Sequence, residues 1–149
     1  MKIITDQTIL TKQCEDIKRE EYYIFDILEE YLDEHPEGIG LAAPQLGILK
    51  KAFIVRYDNY FNKERYLRFA NAKFLTGSRE FFSIEGCLSI PDKTFGVKRF
   101  EDIALWDDIG HGRMFLPPAS IVIQHEYDHI YGKTLLQTGL EIRNEDVIQ

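Results

Sequence analysis

His125 and His129 stand four residues apart in the run His125-Glu126-Tyr127-Asp128-His129. On a helix that spacing puts both rings on one face, where they can grip a single metal ion. Glu126 projects about 100° around the helix from His125. It therefore flanks such an ion instead of completing its ligand set, and it can take a proton from a bound water. Asp128 is assigned no chemistry and is expected in the outer surroundings of the site or at the surface. Short patterns of this kind also recur by accident, and two ordinary histidines with a chance glutamate are the competing reading.

Cys87 shifts that balance. It lies in Glu85-Gly86-Cys87-Leu88-Ser89. Two histidines leave a tetrahedral ion short of one protein ligand and one open position, and a thiolate meets the first need. Mixed nitrogen and sulfur ligation suits zinc(II) or iron(II). The alternative makes Cys87 a nucleophile with a histidine base. That chemistry needs neither a metal nor the glutamate between the histidines. A third segment, Gly38-Ile39-Gly40-Leu41-Ala42-Ala43-Pro44-Gln45, is rich in glycine, which lets a backbone approach a ligand closely. For Gly38 and Gly47 a purely structural turn is expected. Together the three segments point to metal-dependent hydrolysis of an amide.

The elements that must carry these residues follow from periodicity. Ile17, Ile24, Leu28 and Tyr31 recur at helical spacing, which predicts an amphipathic helix over 14–34, stopped by Pro36. Lys51 to Tyr57 reads as a strand and Arg65 to Ala70 as its hairpin partner, joined by a polar turn at 58–64. Phe81 to Ile84, Thr94 to Lys98 and Asp102 to Trp106 read as further strands. Gly110-His111-Gly112 marks a turn into Arg113 to Leu116. Pro117-Pro118 opens the helix that bears the histidines, and Gly132 closes it. The tail offers at most one strand and a frayed end. Short connections favour antiparallel pairing. The expected class is α+β: antiparallel sheets around a central metal-binding helix, with an amphipathic helix at the N-terminus.

The chain has 149 residues, 44% of them hydrophobic. That suits one domain, 1–149, with one core. No apolar run nears the roughly 20 residues of a spanning helix, and the N-terminus lacks the apolar stretch of a signal peptide. A cytoplasmic location and no membrane partner are expected. The net charge of −7 argues against nucleic-acid binding, although Lys93, Lys98 and Arg99 could form a small basic patch. Two cysteines, Cys14 and Cys87, are not expected to pair in such a chain.

The three segments resemble the motifs of peptide deformylases, which remove the N-formyl group from newly made polypeptides. GIGLAAPQ at 38–45, EGCLS at 85–89 and QHEYDH at 124–129 stand complete and in the family's order. The resemblance implies metal ligands Cys87, His125 and His129, with Glu126 as general base and acid. It implies that the Gln45 amide and the Leu88 backbone N–H hold the oxyanion. Gly40 would meet the substrate backbone, and Ile39, Leu88, Ile121 and Val122 would line a pocket for the methionine side chain. Glu85 and Arg99 would form an ion pair behind the site. The cofactor would be one divalent ion, Fe2+ in the native enzyme, with Zn2+, Ni2+ or Co2+ able to occupy purified samples. N-formylmethionyl peptides or nascent chains would be the partners, and a monomer is expected.

The chain departs from that pattern in two places. Many family members continue into a long C-terminal helix, whereas here only about twenty residues follow His129 and they are not basic. Ribosome proximity stays open, but docking through a basic C-terminal helix is not expected. Ala72 follows Asn71 where a proline is common. Two other readings stay open on the residues alone. A zinc endopeptidase shares the helix motif but usually recruits a third histidine or a glutamate. A structural metal site would be closed by four protein ligands, and neither His35 nor His111 sits in a ligand-spaced motif; both are expected at the surface.

Overall fold

The computed structural model describes residues 1–57 and 65–143. A short helix α1 (Gln7–Leu10) is followed by α2 (Tyr23–Asp33), then strands β1 (Gly40–Ala42), β2 (Ala52–Arg56) and β3 (Tyr66–Ala70). The long strands β4 (Lys73–Cys87) and β5 (Ile90–Trp106) come next. They are followed by β6 (Arg113–Phe115), α3 (Ala119–Ile130), α4 (Leu135–Thr138) and β7 (Gly139–Ile142). Every described strand pairing is antiparallel, and the class is α+β. One sheet has the order β1-β2-β3; the other has β4-β5-β6, with β7 pairing the other half of β5.

The N-terminal helix is shorter than its apolar spacing predicts. Residues 14–18 are not helical, and a short 3-10 turn at Arg19–Glu21 precedes α2. Longer-range hydrogen bonds take that segment. The Glu15 N–H donates to the Leu49 carbonyl, and Lys51 N–H donates to Glu15. The Asn71 side chain grips Ile17 at both ends, accepting from its N–H and donating to its carbonyl. Ile17 is still buried, as its apolar character requires. Within α2 the buried residues are Ile24, Phe25, Leu28, Tyr31 and Leu32. They pack with Leu41, Ala52 and Ile54 of the first sheet in one core cluster.

The second sheet is also more continuous than expected. The two strands anticipated at Thr94 to Lys98 and Asp102 to Trp106 are one strand, β5, which pairs with β4 along almost its whole length. Alternation along β4 sorts its residues: Phe82 and Ile84 face solvent, while Ser83 is buried. Glu85 therefore shares the inner face with Ser83, and Cys87 follows after a register shift in the β4–β5 ladder. The turn expected at 58–64 lies outside the described residues.

The helix α3 begins right after Pro117-Pro118 and stops before Gly132, which has φ 73°. A Cβ on Gly132 would also sit 2.9 Å from the Thr11 carbonyl, so glycine is needed there twice over. The helix touches β1, β2 and β5, and its Ile123 and Ile130 share a core cluster with Phe53, Phe69 and Leu105. It thus rests on strands of both sheets. Ala72 is buried, and its carbonyl accepts a hydrogen bond from the Tyr131 hydroxyl just beyond α3. The tail holds a short helix as well as the expected strand. Among the described residues no helix is long and apolar enough to cross a membrane.

Candidate active site

Two elements deliver the donor atoms. The end of β4 presents Cys87, and α3 presents His125 and His129 from adjacent turns. One ligand atom from each lies within 4.8 Å of the others. The Cys87 Sγ is 3.5 Å from His129 Nε2. His125 Nδ1 lies 3.0 Å from Glu85 Oε1, which leaves its Nε2 for the shared centre. A carboxylate behind a histidine fixes its orientation and raises its basicity.

Glu85 is itself held. Arg99 donates to both its carboxylate oxygens, each at 2.9 Å, and a third guanidinium bond of 2.7 Å reaches Asp128. Arg99 is nearly fully buried, so the basic patch with Lys93 and Lys98 does not form. Burial works to raise the Glu85 pKa, but the bonds from His125 and Arg99 outweigh it and bring it down to about 2. Asp128 therefore helps anchor the network under the site, in the outer surroundings where the sequence offered it a place. Its position three residues after His125 is the only local hint.

The two histidines respond differently to their surroundings. Burial depresses the basicity of both. For His125 the bonds to Cys87 and Glu85 overcome burial and raise the pKa to about 10. His129 is pushed well below the usual histidine range by burial and by the positive charge of His125 and Arg99. Two imidazoles and a thiol brought within 4.8 Å of one another are, as neutral imidazoles and thiolate, a ligand set suited to zinc(II) or iron(II).

Glu126 is buried, and its Oε1 has no hydrogen-bond partner. Burial raises its pKa to about 7, against the pull of His125. A buried, unpartnered carboxylate in that range can both accept and return a proton near neutral pH. Gly40 makes room for it: a Cβ there would lie 2.7 Å from Glu126 Oε2 and 2.8 Å from Val122 Cγ1.

The Gln45 amide has a fixed sense. Its Oε1 accepts from the Ala42 N–H at 3.0 Å, so its Nε2 turns toward the site. There it donates to Ser89 Oγ at 3.1 Å and lies 3.6 Å from Cys87 Sγ. Ser89 was not singled out from the sequence, although it sits in the same five-residue motif as Cys87. Leu88 and Ser89 form the two-residue turn between Cys87 and Ile90, and Leu88 packs on the α2 core.

A cleft of about 860 Å³ runs over these groups. Gly40, Gln45, Leu88, Ile121, Val122, His125 and Glu126 all line it, as does Ile39, which stands exposed at its rim. Ser83 adds a hydroxyl-bearing side chain to the wall. His35 and His111 lie elsewhere. His35 is half-buried, stacked on Tyr31, and His111 is exposed near Trp106.

The edge of the first sheet faces the cleft with free backbone groups. The Arg56 N–H donates to the Ile39 carbonyl, which makes 39 and 56 a hydrogen-bonded pair. Such pairs alternate along an antiparallel ladder. Gly40, opposite Val55, therefore points its N–H and C=O away from β2. Ala42, two residues on, follows the same rule and sends its N–H to Gln45.

The model of the polypeptide deformylase family matches residues 1–144. The chain belongs to the polypeptide deformylase family. Its curated relatives include the peptide deformylase of Karelsulcia muelleri, 33% identical over 143 residues, covering 90% of this chain and 75% of the relative. The peptide deformylase 1 of Clostridium perfringens is 36% identical over 135 residues, covering 85% and 88%. A class I type b peptide deformylase from Acinetobacter baumannii, solved by crystallography, is 25% identical with a TM-score of 0.78, covering 93% of this chain and 97% of that one. The chain is thus a deformylase-family enzyme, and its three segments are the ones that meet at the cleft.

Proposed function

We propose that this chain removes the N-formyl group from the N-terminal methionine of newly synthesised polypeptides. Residues 1–149 act as one catalytic domain in the cytosol. The observation that carries the reading is the meeting of Cys87, His125 and His129 beside a buried, unpartnered Glu126. Those three residues would hold one divalent ion, Fe2+ in the native enzyme. When bound, the ion supplies Lewis-acid chemistry, lowering the pKa of a water nucleophile and polarising the formyl carbonyl.

The chain's own residues do the rest. The substrate backbone lies along the free edge at Gly40, and the methionine side chain enters between Ile39, Leu88, Ile121 and Val122. Glu126 takes a proton from the attacking water. As oxygen bonds to the formyl carbon, negative charge grows on the carbonyl oxygen, and the Gln45 Nε2–H and Leu88 N–H receive it. Ala42 and Ser89 keep the Gln45 amide in the sense this needs. Glu126 then returns its proton to the leaving nitrogen, the carbon–nitrogen bond breaks, and formate departs from a free methionine amine. The Arg99 network holds His125 in place without touching the substrate. Three protein ligands, rather than four, favour catalysis over a structural metal site.

Protein loaded anaerobically with Fe2+ or Ni2+ should release formate from formyl-Met-Ala-Ser. Glu126→Gln should keep the fold and bind metal but lose nearly all turnover. No formate from any metal form would defeat the proposal, and so would a fully active Glu126→Gln protein.

A further inference from the structure

Arg56, the last residue of β2, sends its side chain away from the reacting groups, yet it converges on the segment that forms the cleft edge. Its Nε donates to the Gly38 carbonyl at 2.9 Å. Its Nη2 donates to the Leu32 carbonyl at 2.8 Å and the His35 carbonyl at 3.4 Å. Its Nη1 reaches the Tyr66 hydroxyl at 3.5 Å, and that hydroxyl donates in turn to Asp33. The guanidinium also lies over the Tyr66 ring. One side chain thereby joins the end of α2, the following loop and the second strand of the sheet.

The end of α2 can use such a group. Its last carbonyls carry partial negative charge; that of Leu32 already accepts from the His35 N–H at 3.1 Å and that of His35 from the Gly38 N–H at 3.0 Å, which leaves a second lone pair on each for a cation. No basic residue lies in its last turn. Arg56 supplies the cation from β2. Gly38 packs so closely that a Cβ would stand 2.7 Å from Leu32 Cδ2, which brings its carbonyl within reach. The main chain of the same arginine holds the Ile39 carbonyl at 2.8 Å. Two consecutive carbonyls, of Gly38 and Ile39, are thus fixed by Arg56, immediately before the free backbone groups of Gly40.

We infer that Arg56 is a positioning residue for substrate binding, holding the Gly38–Gly40 edge ready for the peptide backbone. The inference rests on the deformylase reading for what occupies that edge. An edge held in advance loses little conformational entropy when a peptide pairs with it; a loose edge must be ordered at each binding event. The loss then falls on ground state and transition state alike, so it is read in KM and not in kcat. The Cys87, His125 and His129 donors hang on β4 and α3 and should not respond.

The test compares wild type, Arg56→Met and Arg56→Lys. Arg56→Met keeps length and removes every donor; Arg56→Lys keeps charge and can serve one carbonyl but not three. Arg56→Met should raise KM for formyl-Met-Ala-Ser about tenfold with kcat within about twofold. Metal content should be unchanged, and amide exchange from Gly38 to Leu41 should be faster. Arg56→Lys should fall between. An unchanged KM and unchanged exchange would overturn the inference, as would a fall in kcat that tracks metal loss. If Arg56→Met does not fold, the same readings on Arg56→Lys decide. If wild type releases no formate, the proposed function fails by itself, and the exchange rates alone judge whether Arg56 holds the edge.

Discussion

Gly40→Ala is the sharpest probe of the arrangement, because a single methyl reaches the group proposed to move the proton. The added Cβ would lie 2.7 Å from Glu126 Oε2, 2.8 Å from Val122 Cγ1 and 3.0 Å from Glu126 Cγ. Ordinary contact begins near 3.4 Å, so the carboxylate must retreat by about 0.7 Å. Gly40 cannot easily yield instead, since it is held in register opposite Val55 and flanked by the Ile39–Arg56 bond. The overlap should destabilise the fold by about 1–3 kcal/mol, the usual effect of inserting a methyl into a packed site. Activity should suffer far more: a displacement approaching 1 Å commonly costs on the order of a hundredfold in rate. The assay is formate release under saturating metal, with metal content and melting temperature measured on the same samples. Gly96→Ala is the control, because its Cβ meets only the end of Ile142, at 3.4 Å. A Gly40→Ala protein with normal metal content and kcat/KM within threefold of wild type would refute the placement of Glu126 as the proton carrier.

Three more outcomes follow from the same geometry. Ser89→Ala removes the acceptor that holds one Gln45 proton, so kcat should fall about tenfold with stability reduced by about 1 kcal/mol, read by steady-state kinetics and urea unfolding; unchanged kcat would detach Ser89 from the oxyanion arrangement. Burial pushes the Cys14 thiol up to about 11, so the metal-free protein should show one fast-reacting thiol toward an aromatic disulfide reagent. That thiol should be protected by added Zn2+ or Ni2+ and absent from Cys87→Ser; two fast thiols, or no protection, would contradict the assigned ligand. The Glu85 pKa is depressed to about 2 in the folded chain, below its unfolded value. Its contribution to stability is fully present above about pH 4.5 and is lost as pH falls toward 2. Urea melts across that window should show a steep loss in wild type and a shallower one in Arg99→Met, and equal slopes would remove Arg99 from the effect.

The donor set was legible because its spacing is local on one side and embedded in a dense motif on the other. His125 and His129 need only a helix, and Pro117-Pro118 with Gly132 bound that helix in the sequence itself. Cys87 sits in a five-residue motif that names it without any strand pattern. The N-terminal helix was overextended for an instructive reason. Apolar spacing records burial, and residues such as Cys14 and Ile17 are indeed buried. What buries them is an extended segment bonded to residues 49–51 and to Asn71, fifty-four positions from Ile17. No local pattern announces such a partner. The same holds for the single long β5, where two apolar stretches suggested two strands and pairing with β4 made one.

The least legible parts are the polar groups that act on other polar groups. Gln45 is named by its motif, but the direction of its amide depends on Ala42 N–H taking one end and Ser89 Oγ the other. His125 is named by its helix, but its ring is turned by Glu85, and Glu85 by Arg99, which also grips Asp128. Each of these links joins residues from different elements, and each is a buried hydrogen bond whose loss would strand a polar atom. The three candidate metal ligands could therefore be read from types and spacing, because such donors must meet at one point, as these do within 4.8 Å. The residues that aim them can satisfy their bonds in many ways, and only the packed fold selects one. Arg56 belongs to this second class: nothing in its strand names its partners, and it is tied to the segment before Gly40 only through the three carbonyls that α2 and its loop bring to it.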